Sequence, residues 1–310
     1  MRNSVPDFFY SKLFYIIVLI VVILVNIFVY RFTMDMIVLL LGVIAFVKKK
    51  EKEFLRDWTF PLILFYAYEF LRGRADVVGG ALGRGVYYKA LLDIEKSLFS
   101  INGEIPTVFL QNKLAHFTDG VFNPVWYDYI FFFAYVSFFW VWILVGYKIW
   151  RKNRSKFKMY IYGLIAFSLF DTLIYIWYPT APPWIAGEIG LLPHLPRLMF
   201  FNYIMSVGGS VFTYGNNLYA AFPSHHVAWV WFAALFVVDV FGKKWLPIFI
   251  IPILVAVATW YGAEHYVVDS IAGVIIATIT FVVFRNIKRI RKNGMDEART
   301  RNLLSDSEML

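Results

Sequence analysis

The sequence predicts an all-α integral membrane protein of about eight transmembrane helices. Three observations carry that expectation. The 310 residues are 60% hydrophobic and 20% aromatic with only 16% charged, far too apolar for a soluble domain. The apolar residues fall into eight runs, several close to the length that crosses a bilayer. The basic residues collect between the runs, as they do where Lys and Arg hold loops in the cytoplasm. Cysteine is absent, so disulfides and thiolate metal sites are excluded and redox chemistry says nothing of compartment. The net charge of +9 comes from those inter-run clusters, so it points to topology and not to nucleic acid.

In chain order, a short mixed stretch with Arg2 and Lys12 precedes the first span, Leu13–Tyr30. That span is long and poorly followed by small residues, so a retained anchor is expected over a cleaved signal. Met34–Val47 is a shorter second span, ended by Lys48, Lys49, Lys50 and Lys52. Trp58–Leu71 is a short third span that stops at Arg72 and Arg74. Residues 73–124 hold several charges and Gly79, Gly80, Gly83 and Gly85. They predict a long external loop with one or two interfacial amphipathic helices. Trp126–Tyr147 is the aromatic fourth span, before a basic cluster from Lys148 to Lys158. Tyr160–Trp177 is the fifth, interrupted by Asp171, whose carboxylate needs a polar partner there, expected to be a Tyr or Asn in a structural role. Residues 179–222, rich in Pro and Gly, form a second external segment. Pro223–Phe241, Trp245–Tyr261 and His265–Phe284 complete the eight. Gly262, Ala272 and Gly273 are small enough to let helices approach closely. The domain division is an N-terminal transmembrane hairpin (1–56), a membrane domain (57–284) and a basic cytoplasmic tail (285–310), whose composition favours disorder.

With both termini in the cytoplasm, 22 of the 30 Lys and Arg lie on the inner side. The opposite orientation inverts that ratio. The favoured orientation brings the start of the sixth span and the junction of the seventh and eighth to the same external face. Three of the five histidines stand there, in Ala220–His226 and Tyr261–Asp269. Ionisable groups beside apolar runs are expensive, which makes them functional candidates. His265 and Asp269 are four residues apart, so on a helix they share a face. A carboxylate there holds one imidazole nitrogen and leaves the other as a better nucleophile or base. Pro223 suits a first helical turn, which would put Ser224, His225 and His226 at a positive helix N-terminus. Two further readings stand beside catalysis. One is a His–Asp pair that only locks two helices. The other is a metal site drawn from His225, His226, Glu264, His265 and Asp269, against which adjacent His225 and His226 splay about 100° apart on a helix.

Pro223-Ser224-x-His226 followed by His265-x-x-x-Asp269 resembles the second and third motifs of the type 2 phosphatidic acid phosphatase superfamily. The flanks resemble its inositol phosphorylceramide synthase-like branch: Asn217–Ala221, Glu264–Asp269, Tyr178–Trp184, Ile105–Gln111 and Tyr68–Gly73. The resemblance covers roughly residues 66–284. It implies a core helical bundle of the lipid phosphatase type, metal-independent phosphoryl transfer through a phosphohistidine, and no cofactor. It implies His265 as nucleophile, His226 as general acid and Asp269 as the group that orients His265. The sequence departs from the superfamily at its first motif, since no Arg-Pro exists, and at Thr259, where an arginine is usual. Phosphate charge must then be met by other external cations. Arg72 and Arg197 are the first choices among Arg72, Arg74, Arg84, Lys89, Lys113 and Arg197, with Ser224 as a further phosphate contact.

The expected activity is a lipid head-group phosphotransferase at the external face of the plasma membrane, with a lipid substrate and a hydroxyl acceptor. Water as acceptor makes the alternative, a lipid phosphate or polyprenyl pyrophosphate phosphatase. A lipid or proton-coupled transporter is the rival of another class, and the clustering of polar groups at one face counts against it. No nucleic-acid partner is expected, and the sequence names no protein partner.

Overall fold

The computed structural model describes residues 34–200 and 217–286. The expected first span, Leu13–Tyr30, and the basic tail beyond residue 286 lie outside the described residues. Within them the chain is almost wholly helical. Eleven α-helices are α1 (Met34–Val47), α2 (Glu51–Arg72), α3 (Ala75–Ala81), α4 (Ala90–Phe99), α5 (Pro106–Leu114), α6 (Trp126–Lys152), α7 (Arg154–Trp177), α8 (Pro183–Glu188), α9 (His225–Phe241), α10 (Ile250–Tyr261) and α11 (Val267–Asn286). Four segments are long and apolar enough to cross a membrane: α6, α7, Lys243–Tyr261 and α11. Helices α1 and α9 are apolar but shorter.

Helix α1 buries Ile37, Leu41 and Ala45, one stripe at four-residue spacing, against α2 and α6. It ends with Lys49 in the left-handed region and Lys50 N–H donating back to the Ala45 carbonyl, a Schellman stop built without glycine. Helix α2 begins at Glu51, seven residues before the expected third span. Glu51 and Glu53 in its first turn and Arg72 in its last match the helix dipole. Its inner stripe is Phe54, Trp58, Pro61, Phe65 and Tyr68, while Phe60, Ile63 and Phe70 stay exposed. A helix apolar on both faces is one made for lipid on the outer side. The seventh run does not start as an α-helix: Lys243–Phe249 is a 3-10 turn, with Pro247 inside it, that leads into α10.

Around α9 the core is aromatic. Trp142 and Trp229 meet edge to face at 5.2 Å, and Phe65 lies 4.9 Å from Trp142. Lipid is as apolar as a side chain, so these contacts hold the bundle by packing and not by escape from water. Each ring pair is worth about 0.5–1.5 kcal/mol. The indole N–H of Trp229 is satisfied by the Ser168 hydroxyl at 2.9 Å.

The long loop at 73–124 holds more structure than the one or two helices expected. It contains three, α3, α4 and α5, and a small hairpin, β1 (Phe117–Thr118) with β2 (Val121–Phe122). Asp119 and Gly120 turn that hairpin with φ of 51° and 78°, the left-handed pair that a two-residue turn needs. Gly79 of α3 presses on α7, where a Cβ would stand 2.6 Å from the Ile176 carbonyl oxygen. Thr180 bridges Tyr87 and Ala220, and so lays the 178–184 segment beside the approach to α9.

The two ends of the bundle differ chemically. At one end Arg154 pairs with Glu53 and Asp57, and Asp239 receives Lys156 at 2.6 Å and Arg285 at 3.1 Å. The opposite end of α2, roughly 28 Å of helix away from Glu53, carries Arg72 and the histidines.

Candidate active site

Helix α9 opens at His225 with Ser224 as its N-cap. Pro223 therefore precedes the cap and does not occupy the first turn as expected. Its carbonyl accepts the Tyr175 hydroxyl at 2.7 Å. His226, in the first turn, is clamped by aromatic rings of α6: Tyr135 stacks on it at 4.9 Å and Phe138 at 4.5 Å.

His265 is not helical. It stands in the turn between α10 and α11, so the shared-helix argument for His265 and Asp269 does not hold. The two meet by another route. Asp269 is the third residue of α11 and turns back toward the cap. Its Oδ2 accepts Tyr266 N–H at 2.8 Å, as the acidic residue of a capping box does, and lies 3.4 Å from His265 Nδ1. The nearer partner of Nδ1 is the Ala221 carbonyl, at 2.9 Å. A carbonyl only accepts, so Nδ1 carries the proton and Nε2 the lone pair. That Nε2 faces His226 Nδ1 at 2.9 Å. The turn is held hard. Ala263 sits at φ 60°, a costly conformation for a residue with a Cβ. The Thr259 carbonyl accepts both Glu264 N–H and His265 N–H, at 2.9 and 3.3 Å. Thr259 thus serves through its backbone where the superfamily pattern has an arginine side chain.

The cations singled out from sequence lie close by. Arg197 grips Glu264 with two bonds of 2.7 and 2.8 Å, over the Trp184 ring at 4.7 Å. Burial works against its charge, and the Glu264 carboxylate overcomes this and holds the guanidinium above its ordinary value. Arg72 bonds Glu69 at 2.9 Å. The charges of both arginines act on His226. Arg74 and Arg84 instead stack over Phe70 and Trp177, at 3.8 and 4.3 Å. Ser224 is fully buried, its N–H donates to the Asp269 carbonyl at 3.0 Å, and its hydroxyl has no hydrogen-bond partner.

His225 turns the other way. Its Nδ1 meets the Tyr68 hydroxyl at 2.7 Å and its Nε2 lies 2.7 Å from Asp171, off the axis of a good hydrogen bond. Asp171 thus meets a histidine one helix away and not the Tyr or Asn expected of it. Glu264 is taken by Arg197 and His225 by Asp171 and Tyr68, so the five residues of the metal reading do not converge. Among the described residues, no three His, Asp or Glu side chains gather as metal ligands.

Several contributors were not legible in the sequence. The Ala221 carbonyl leaves no trace in residue type. Gln111 ties the carbonyls of Pro196 and Tyr261 together at 3.0 and 2.9 Å, which anchors the Arg197 loop to the end of α10. Its only signal was its place in the Ile105–Gln111 stretch. Tyr135 and Phe138 are three apart on an aromatic helix, and nothing separates them there from packing residues.

The PAP2 superfamily model matches residues 108–283. Over 214 residues the chain is 25% identical to a phosphoinositol dihydroceramide synthase of Bacteroides thetaiotaomicron, covering 63% of this chain and 66% of that one. Over 130 residues it is 28% identical to the inositol phosphorylceramide synthase catalytic subunit aur1 of Schizosaccharomyces pombe, covering 39% of this chain and 31% of that one. The chain thus spans just under two-thirds of the first relative and about a third of the second. No solved structure matches it.

Proposed function

The chain belongs to the PAP2 superfamily, and on that premise we propose that it is a lipid head-group phosphotransferase working through a phosphohistidine. The names of its relatives favour a phosphoinositol group as cargo and the hydroxyl of a ceramide-type lipid as acceptor. The observation that carries the reading is the 2.9 Å contact between His226 and His265, with Nδ1 of His265 already engaged.

In the first half-reaction the donor phosphate enters between the two rings. His265 Nε2 attacks phosphorus, a P–N bond forms, and the bond from phosphorus to the diacylglycerol oxygen breaks. His226 gives that oxygen its proton, so diacylglycerol leaves neutral. In the second half the acceptor hydroxyl returns a proton to His226 and attacks phosphorus, and the P–N bond breaks. Asp269 and the Ala221 carbonyl keep His265 oriented and stabilise its charged, phosphorylated form. Arg72, Arg197 and the Ser224 hydroxyl balance the charge on the phosphoryl oxygens. Both arginines rest on carboxylates, Glu69 and Glu264, so incoming phosphate competes for a cation already in position. No step calls for a metal. Water in place of the lipid hydroxyl gives the phosphatase outcome with the same residues.

The arrangement we propose has about eight spans, including Leu13–Tyr30. Both termini are cytoplasmic, the histidines lie on the external face of the plasma membrane, and the domains divide as 1–56, 57–284 and 285–310. The test is incubation of the purified protein with phosphatidylinositol, with and without ceramide, in the presence of a strong chelator. Mass spectrometry should find diacylglycerol together with a phosphoinositol ceramide. Diacylglycerol with free inositol phosphate and no phosphoinositol ceramide would assign the hydrolytic outcome. Loss of turnover on chelation, restored by zinc, would replace the reading with metal-assisted chemistry.

A further inference from the structure

Glu95 is a charged residue with no solvent exposure, on an interfacial helix that the mechanism above does not use. Helix α4 presents Leu91, Leu92 and Glu95 inward and leaves Asp93 and Lys96 outside. Among the described residues the carboxylate does not face a cation. Its Oε1 accepts Val267 N–H at 2.9 Å and its Oε2 accepts Val268 N–H at 3.1 Å. These are the first two amides of α11, which have no partner inside the helix. The residue at the cap position is Tyr266, whose side chain has no oxygen within reach of them. An N-cap oxygen is ordinarily local to the helix. Here it arrives from 172 residues away in sequence. The next residue of the same turn is Asp269, whose own carboxylate closes on Tyr266 N–H and flanks His265. One helical turn therefore joins Glu95 to the nucleophile.

We propose that Glu95 is a positioning residue: its carboxylate, delivered by α4, fixes the first turn of α11 and thereby the approach of Asp269 to His265. The inference rests on the phosphohistidine reading. A structural filler in this place would be an apolar side chain or a local Ser or Asp at the cap. A buried acid from another element is costly, and its two oxygens match two adjacent N–H groups. Burial pushes the Glu95 carboxyl up to about 7, the two amides pull against this, and the charge of Asp269 adds to the rise. The titratable groups facing it from packed elements are Asp269 and Tyr266, and Tyr178 joins the same otherwise apolar cluster. The raised value means that protonation stabilises the fold, a contribution lost as pH climbs through about 7. The geometry works the other way. Protonation makes one oxygen a hydroxyl, a weaker acceptor whose hydrogen lacks a partner among the described residues, so one of the two amides is held less firmly. Activity and stability then move in opposite directions across that pH.

The experiment uses full-length protein and para-nitrophenyl inositol phosphate, whose leaving group needs no acid. Glu95→Gln keeps the shape but offers one acceptor, and so imitates the protonated residue. It should stay folded, lose roughly tenfold in kcat with KM within about twofold, and lack any acidic limb near pH 7 that the wild type is expected to have. Glu95→Asp, too short to reach both amides, should show the same kcat loss. Unchanged kcat in folded variants, an equal loss carried by KM, or failure of both variants to fold would overturn the proposal. His265→Ala is run alongside. If it is folded and still active, the phosphohistidine reading fails, whereas an inert His265→Ala beside a fully active Glu95→Gln removes only the role of Glu95.

Discussion

His226 and His265 touch, yet their substitutions should not behave alike. With His265 as the proposed nucleophile, His265→Ala should abolish turnover of every substrate. With His226 as the proposed acid, His226→Ala should cost roughly 10²–10⁴-fold on an alkyl lipid ester and much less on an aryl ester, whose leaving group departs without a proton. Asp269→Asn should fall between the two, because Nδ1 of His265 keeps the Ala221 carbonyl at 2.9 Å. Steady-state rates on paired alkyl and aryl phosphodiesters decide this, and an active, folded His265→Ala would end it. His225 needs a different expectation from the one helix geometry alone gives. Turning away from His226 makes it dispensable for chemistry, but it is buried between Asp171 and Tyr68. His225→Ala strands both groups, at about 1–3 kcal/mol for each one left unpaired. Thermal denaturation in detergent should show a lowered Tm, while the folded fraction keeps most of its turnover.

At the scale of elements, the site depends on how closely α9 and α11 approach. A Cβ on Gly273 would stand 2.6 Å from the Ser224 carbonyl oxygen and 3.3 Å from the Cβ of Ala228. Backbone cannot yield there without shifting the cap that carries His226. Gly273→Ala should therefore cost stability of about 1–3 kcal/mol through overpacking and lower kcat more than the stability loss explains. Comparison of Tm and kcat with those of Ala272→Val on the same helix provides the check, since Ala272 is only half buried. Gly273 was legible beforehand as a small residue in an apolar run. Its role was not, because hydropathy says which segments are helices and nothing of which helix each one touches. The same gap explains α3, α4 and α5. Their charges and glycines mark a loop in any window, whereas α3 packs on α7 and α5 on α10, and α4 reaches the start of α11 through Glu95.

For the whole molecule the expectation to test is orientation. The ion pairs of Arg154 and Asp239 mark one end of the bundle and the histidines the other. The excess of Lys and Arg leads us to expect the first end in the cytoplasm. In this cysteine-free chain, single cysteines at exposed Lys48 and Lys152 should resist an impermeant thiol reagent in intact cells. Cysteines at exposed Gly80 and Glu188 should be labelled. Gly187 is a poor site for the purpose, since a Cβ there would meet the Pro193 carbonyl at 2.8 Å. Labelling of the 48 and 152 positions would reverse the membrane orientation and move the site to the inner face.

By itself the sequence determined the membrane class, the order of the apolar segments, and the short motifs that hold the reactive residue types. It also singled out Arg72 and Arg197 among the cations outside the inter-run basic clusters. These are local or compositional properties: hydropathy is read in windows, charge by counting, and motifs over a few residues. The motif resemblance already preferred His226 to His225, but only the tertiary structure put His226 against His265, 39 residues away, and His225 against Asp171. It also decided that His265 is held by a carbonyl before a carboxylate, that Asp269 acts as a cap as well as a neighbour, and that Glu95 closes the same turn. Each of these is a contact between groups far apart in the chain, set by angles and distances of a few tenths of an ångström. Residue identity carries no record of such distances, and a backbone carbonyl has no identity to read.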